Sequence, residues 1–151
     1  MNGPALAQQE QVLRAQLQIA LEEGLPVLLH GRKTTGKLLD ILGELQVGQQ
    51  VCGSFQGFSG SLQVARERVR LGFKIGVGPI LLRASARKLP QAVADLPFDA
   101  LVLETDFPDM AERPEILIAV AERVALLRGC SLAEVAQQTT DNASRLFGFK
   151  D

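Results

Sequence analysis

Three short polar clusters carry the residue types that hydrolytic and metal chemistry use. His30, the sole histidine, ends the apolar run Leu25-Pro26-Val27-Leu28-Leu29 and is followed by Gly31-Arg32-Lys33. Glu104 and Asp106 flank Thr105 in Leu103-Glu104-Thr105-Asp106-Phe107-Pro108, and Gly57-Phe58-Ser59-Gly60-Ser61 makes a glycine-rich stretch. Side chains alternate across a strand, so Glu104 and Asp106 share one face while Thr105 takes the other, and two carboxylates converge at one strand end. With a neutral imidazole beside them they suit a hard or borderline divalent cation such as zinc, manganese or magnesium.

Each cluster also has a plainer reading. A lone histidine at a strand end is often a hydrogen-bonded structural residue, Glu104 could pair with Arg83 or Lys74, and Asp106 could cap a turn into Pro108. The glycine-rich stretch could cradle a phosphate at a helix start, or Ser61 could simply cap that helix. It lacks the spacing and lysine of a P-loop and is too short for a dinucleotide fingerprint, which excludes both. Arg32, Lys33 and Lys37 form a small basic group beside His30, either a phosphate contact or the solvated start of a helix. Cys52 and Cys130 are far apart and lack metal-ligand spacing, so they are expected as reduced, buried thiols in a reducing compartment.

The elements that must position these clusters follow from periodicity. Ala5 to Glu23 reads as an amphipathic helix on Leu6, Val12, Leu13, Leu17, Ile19 and Ala20, ended by Gly24. Leu25 to His30, opened by Pro26, has the pattern of a strand buried on both faces of a parallel sheet. Helices are then expected over Thr34–Leu45, Ser61–Leu71, Ser85–Leu96 and Pro114–Arg128, the last with its proline in the first turn, and strands over Gln50–Gln56, Phe73–Gly78 and Leu101–Thr105. Ser131 and Glu134 make a capping box for a closing helix toward Phe147. Strands alternating with helices over short links give an α/β protein with parallel strands. Four βα units fit either a small doubly wound sheet or half of an eight-stranded barrel, and in both the ligand lies at the carboxyl ends of the strands, where the polar clusters stand.

Length and composition set the frame. A chain of 151 residues with 46% hydrophobic and 22% charged residues is expected to fold as a single domain, residues 1–151. Sixteen Lys and Arg against seventeen Asp and Glu leave a net charge of −1, so any contact with nucleic acid must be local rather than a general attraction. No apolar stretch approaches the ~20 residues needed to span a bilayer, and Met1 to Leu6 has no targeting pattern, which makes the cytoplasm the expected location and excludes a membrane partner. The absence of Trp and Tyr argues against a module that binds single strands chiefly by stacking.

In order and spacing these motifs resemble the C-terminal part of the TatD family of metal-dependent deoxyribonucleases. Leu25-Pro26-Val27-Leu28-Leu29-His30-Gly31-Arg32 resembles the family's Pro-Val-x-x-His-x-Arg strand, and Gly57-Phe58-Ser59-Gly60-Ser61 resembles its Phe-Ser-Gly-Ser loop. Leu71-Gly72-Phe73-Lys74-Ile75-Gly76-Val77-Gly78 resembles the Leu-Gly-aromatic strand that follows, and Leu103 to Pro108 the Leu-Glu-Thr-Asp-x-Pro motif. Thr139-Thr140-Asp141-Asn142-Ala143 with Leu146-Phe147-Gly148 resembles the closing helix.

The resemblance implies four βα units forming the C-terminal half of a TIM (β/α)8 barrel, and a hydrolase acting on phosphodiesters such as DNA through a divalent metal, Zn, Mn or Mg. It places His30 and Asp106 on metal-ligand positions, with Asp106 and Glu104 as catalytic carboxylates and Arg32, Lys33 and Ser59 as substrate contacts. Three departures stand against it. The family's N-terminal half, with its His-x-His pair and bridging Glu, has no counterpart in this sequence. Gln56 replaces a family ligand histidine and is a poorer zinc ligand than imidazole. The stretch from Pro108 to Pro114 is short, with Glu112 where the family usually has Asn. A half barrel exposes an apolar inner face and two open sheet edges, so a homodimer or a complementary N-terminal half is expected. The second functional reading is an inactive remnant that persists as an oligomeric or interaction domain.

Overall fold

Apolar runs too short for helices, set between longer amphipathic stretches, become parallel strands that each return through a helical connection. The computed structural model describes residues 5–31 and 35–149. The order is α1 (Leu6–Glu23), β1 (Val27–Leu29), α2 (Thr35–Glu44), α3 (Val47–Gln50), β2 (Gly53–Phe55), α4 (Leu62–Arg70), β3 (Phe73–Val77), a 3-10 turn (Pro79–Leu82), α5 (Leu89–Asp95), a second 3-10 turn (Phe98–Ala100), β4 (Leu101–Leu103), α6 (Ile116–Arg128) and α7 (Leu132–Phe147). The four strands form one sheet in the order β1-β2-β3-β4. All pairs are parallel, in a register that sets Leu29 beside Phe55, Phe55 beside Ile75, and Ile75 beside Leu101. Every carboxyl end therefore lies on the same side of the sheet.

The two faces of the sheet differ. Val27, Leu29, Phe55 and Phe73 pack with α1 and α2 in one core cluster, while Ile75, Val77, Leu101 and Leu103 pack with α4 to α7 in another. Strand alternation puts Leu28, Ser54, Lys74, Gly76 and Val102 on the opposite face. There Ser54 is buried, yet Leu28 on the edge strand β1 is 59% exposed. The expectation that β1 is buried on both faces is therefore corrected, because helices cover its outer face alone and no described strand pairs with its free edge.

Helix boundaries follow local chemistry. Ser131 accepts the Glu134 N–H and Glu134 reaches back to the Ser131 N–H, the expected capping box. Glycines in the left-handed region end α1, α6 and α7 at Gly24, Gly129 and Gly148. Four expectations shift. Strand Gln50–Gln56 begins instead as the helical turn α3 and is extended only over Gly53–Phe55. Helix Ser85–Leu96 contracts to Leu89–Asp95, because Pro90 pre-sets a first helical turn and disfavours helix before it. Pro114 stands in a turn ahead of α6 rather than in its first turn, with the Leu117 N–H donating to its carbonyl. On α1 only Leu17 and Ala20 are buried, and Leu6, Val12 and Ile19 remain exposed.

The closing helix acts on the sheet. Asn142, fully buried, donates to the carbonyls of Phe98 (2.8 Å) and Leu101 (2.7 Å) and accepts from Gln138. Arg128 donates to the carbonyls of Val93 and Leu96 at the end of α5 and stacks 4.2 Å over Phe98. Both side chains fix the entry into β4, the strand that carries Glu104 toward the mouth.

Candidate active site at the strand ends

Alternation continues past the last paired residues. Gln56 N–H donates to the Leu29 carbonyl and Glu104 N–H to that of Val77, so the ladder carries these residues in extended register. His30, Gln56 and Glu104 each follow an outward-facing residue, Leu29, Phe55 and Leu103, and so share the face away from the helices. Gly76 and Gly78 occupy that face of β3 between them. A Cβ on Gly76 would lie 2.8 Å from Glu104 Oε2 and 2.8 Å from the Phe55 carbonyl oxygen, and one on Gly78 would lie 3.1 Å from Glu104 Cγ. Two glycines in alternation thus leave the space in which the Glu104 carboxylate lies back across β3.

That carboxylate accepts the Gly57 N–H at 2.6 Å. Burial pushes its pKa above the usual glutamate value, the Gly57 N–H pulls against that, and the nearby Asp106 charge adds to the rise. Asp106 adopts a left-handed backbone with φ of +51°, a conformation that a short polar side chain tolerates. Its Oδ1 accepts a hydrogen bond from the Gln56 amide. His30 is exposed, and its ring lies against Gly57, where a Cβ would meet Cε1 at 3.5 Å. His30, Gln56, Glu104 and Asp106 therefore belong to one cluster at one end of the sheet, joined through the Gln56-Gly57 backbone.

The plainer readings are decided by named partners. Lys74 Nζ donates to the Asp99 carbonyl and Arg83 contacts the Met110 sulfur, so neither pairs with Glu104. Thr105 Oγ1, rather than the Asp106 side chain, accepts the Phe107 N–H at the turn. Among the described residues His30 has no hydrogen-bond partner. Ser61 caps α4 by accepting the Val64 N–H, while the Gly57 N–H goes to Glu104 and the Phe58 N–H to the Gly76 carbonyl, so the start of that loop is committed within the protein. Ser59 is exposed. Lys37 pairs with Glu10 at 3.3 Å, which favours the solvated-helix reading for that cation. Arg32 and Lys33 lie outside the described residues. Both cysteines are free, but Cys52 is exposed and Cys130 only half-buried, a correction that follows for Cys52 from its place in the link before β2.

The donor types, one imidazole, two carboxylates and an amide, are ones that divalent cations accept. Their number does not close a centre. Among the described residues no group of three or more His, Cys, Asp or Glu converges on one point, and Asp106 Oδ1 and Glu104 Oε1 each already accept a protein hydrogen bond.

Residues 2–148 match the family model of TatD-related DNases. The chain belongs to that family. A Haemophilus influenzae relative named an uncharacterized metal-dependent hydrolase is 37% identical over 93% of this chain. Escherichia coli YjjV, also named an uncharacterized metal-dependent hydrolase, is 38% identical over 97% of it, and the human deoxyribonuclease TATDN3 is 32% identical over 97%. The solved structure of E. coli YjjV, a TatD homologue, superposes with a TM-score of 0.88 over 95% of this chain. The chain spans 54–59% of the length of these three relatives and 58% of the solved YjjV chain. Its four parallel βα units are thus the C-terminal half of a TatD barrel of the TIM type.

Sequence reasoning about the TatD motifs missed two features of the mouth. One is the glycine pair on β3, for which a signal existed: Gly76 and Gly78 alternate on the face that Glu104 must cross. The other is the Gln56–Asp106 contact, which joins residues fifty positions apart across two intervening strand pairs and leaves no local trace.

Proposed function

We propose that this chain supplies one side of the divalent-metal centre of a TatD-type hydrolase that cleaves phosphodiesters of the DNA class. The observation that carries the reading is the gathering of His30, Gln56, Glu104 and Asp106 at one mouth of a parallel sheet. His30 and Asp106 hold the metal from this side, with the Gln56 amide oxygen as a weak further donor. Zn, Mn and Mg all accept such nitrogen and oxygen donors. When bound, a divalent ion supplies positive charge beside a phosphoryl group and makes nearby water more acidic. Glu104, held by the Gly57 N–H and raised in pKa by burial, keeps a proton more readily than a solvent-exposed glutamate and is placed to pass one at the mouth. Arg32, Lys33 and Ser59 contact substrate phosphates.

The remaining ligands come from strands that complete the barrel. The uncovered β1 edge and the exposed Leu28 support a covering partner, either a complementary N-terminal half or a second copy of this chain. Sedimentation showing a stable monomer at micromolar concentration counts against that partner. Two free cysteines suit a cytoplasmic setting.

A second reading is favoured by one contact. The Gln56 amide donates to Asp106 Oδ1, so the carboxylate proposed as a ligand already has a partner within the protein, as expected of a remnant that folds and associates without catalysis. Cleavage of DNA with added Mn2+ or Zn2+ separates the two. Metal-dependent turnover that is lost in Asp106→Ala and increased in Gln56→His supports the hydrolase, whereas equal background in all three proteins supports the remnant.

A further inference from the structure

The loop between β3 and α5 concentrates positive charge in a chain whose overall charge is close to zero. Arg83, Arg87 and Lys88 fall within six residues that contain no acid, and all three are exposed. None has a described carboxylate within 4.0 Å, in contrast to Arg14 and Lys37, which pair with Glu10 or Glu44. The backbone that carries them is set by internal bonds, Arg83 N–H to the Ile80 carbonyl, Ala86 N–H to Arg83 and Arg87 N–H to Ser85. Leu81 and Leu89, buried on either side, anchor it to the core. The cations are therefore displayed from a fixed loop.

Position gives the loop its meaning. It leaves the carboxyl end of β3, the strand next to β4, so it rises beside the mouth. Arg83 Nη2 sits 3.8 Å from the Met110 sulfur, and the Met110 N–H donates to the Asp106 carbonyl at 2.8 Å. A cation without a carboxylate partner is thereby docked on the turn that presents Asp106. The same turn displays Phe107, 53% exposed beside Asp106. Unpaired cations next to an exposed ring match a strand of nucleic acid, whose phosphates the cations meet while a base rests on the ring.

We infer that Arg83, Arg87 and Lys88 form a rim that binds the flanking phosphates of a polynucleotide strand, with Phe107 as the platform for a base next to the scissile bond. This rests on the reading of the mouth as a phosphodiester site. It goes further in assigning substrate grip to the β3–α5 loop, outside the motifs that mark the family.

The test measures binding apart from cleavage. A fluorescein-labelled single-stranded deoxyribonucleotide 16-mer is titrated with the full chain in EDTA, by anisotropy, across a series of salt concentrations. Three phosphate contacts on a single strand contribute a slope of about −2 in log affinity against log salt. Replacing all three cations by alanine should remove that contribution, which at 0.1 M salt weakens binding about 100-fold relative to wild type. Arg66→Ala/Arg70→Ala/Arg123→Ala removes the same charge from the outer helices and should keep the slope. Phe107→Ala should lose affinity about fivefold or more with the slope unchanged. Hydrolysis of bis(p-nitrophenyl) phosphate by the wild-type protein with Mn2+ tests the catalytic reading separately, and its absence counts against that reading while the anisotropy result decides the rim. The rim is overturned if wild type does not bind the 16-mer, if the rim variant keeps the full slope, or if the helix variant loses as much. Unchanged affinity in Phe107→Ala overturns the platform.

Discussion

Glu104 is where the stability of the fold and the chemistry of the mouth meet, and two substitutions there separate them. Its carboxylate is half-buried, accepts one backbone N–H at 2.6 Å and lies against the bare Cα atoms of Gly76 and Gly78. Glu104→Gln keeps an oxygen that can accept the Gly57 N–H and removes the charge. Glu104→Ala removes the acceptor and leaves a partly buried N–H without a partner, which costs about 1–3 kcal/mol. At neutral pH we therefore expect Glu104→Ala to be less stable than wild type by that amount. Glu104→Gln should fall within about 1 kcal/mol of wild type, since it exchanges a charged hydrogen bond for a neutral one while relieving the cost of burying charge.

The pH dependence follows from the direction of the shift. The unfolded chain titrates Glu104 near 4.5, and burial raises the folded value above that. The folded protein thus binds the proton more tightly, so the stability that protonation contributes is fully present below pH 4.5 and is lost as pH rises through the folded pKa. Glu104→Gln has no proton to lose. The stability of wild type relative to Glu104→Gln should fall as pH rises above 4.5, read by urea denaturation at intervals of half a pH unit in EDTA. Added Mn2+ should reverse the order if Glu104 faces a cation, since only the carboxylate gains from it. A difference that is flat with pH, or a Glu104→Gln variant as unstable as Glu104→Ala, would refute both the desolvation of Glu104 and its bond to Gly57.

Two further substitutions test what holds the mouth in place. Gly76→Ala forces a Cβ within 2.8 Å of both Glu104 Oε2 and the Phe55 carbonyl oxygen, so thermal or urea denaturation should show a loss of roughly 1–3 kcal/mol. Adding Glu104→Ala to it should recover only part of the loss, because the Phe55 backbone cannot swing aside. Asn142→Leu removes both hydrogen bonds to the Phe98 and Leu101 carbonyls and should destabilise by at least ~2 kcal/mol in the same assay. It should also weaken any activity through the displaced β4, and an unchanged stability would show that the closing helix does not hold that strand.

The parts of this molecule legible in its sequence are those that local chemistry decides. The helix that starts at Ser131 could be placed because its capping box lies within four residues, and α6 could be ended at Gly129 because one glycine supplies the left-handed cap. Four parallel strands followed from four apolar runs at the spacing of βα units, and with them the single mouth onto which His30, Glu104 and Asp106 open. What escaped was decided across the sheet. Leu28 belongs to an apolar run that local pattern cannot distinguish from a fully buried strand, and its exposure depends on what lies beyond the free edge of β1. Gln56 looked, residue by residue, like a ligand weakened by substitution. In three dimensions its amide donates a hydrogen bond to Asp106, a role that its place in the sequence does not reveal. That bond gives the Asp106 carboxylate a partner within the protein, so its position does not depend on a cation. On the proposed metal-site reading, metal affinity and fold stability should therefore move in opposite directions in Gln56→His: the imidazole improves the former, while without metal the variant lacks the amide that steadies Asp106.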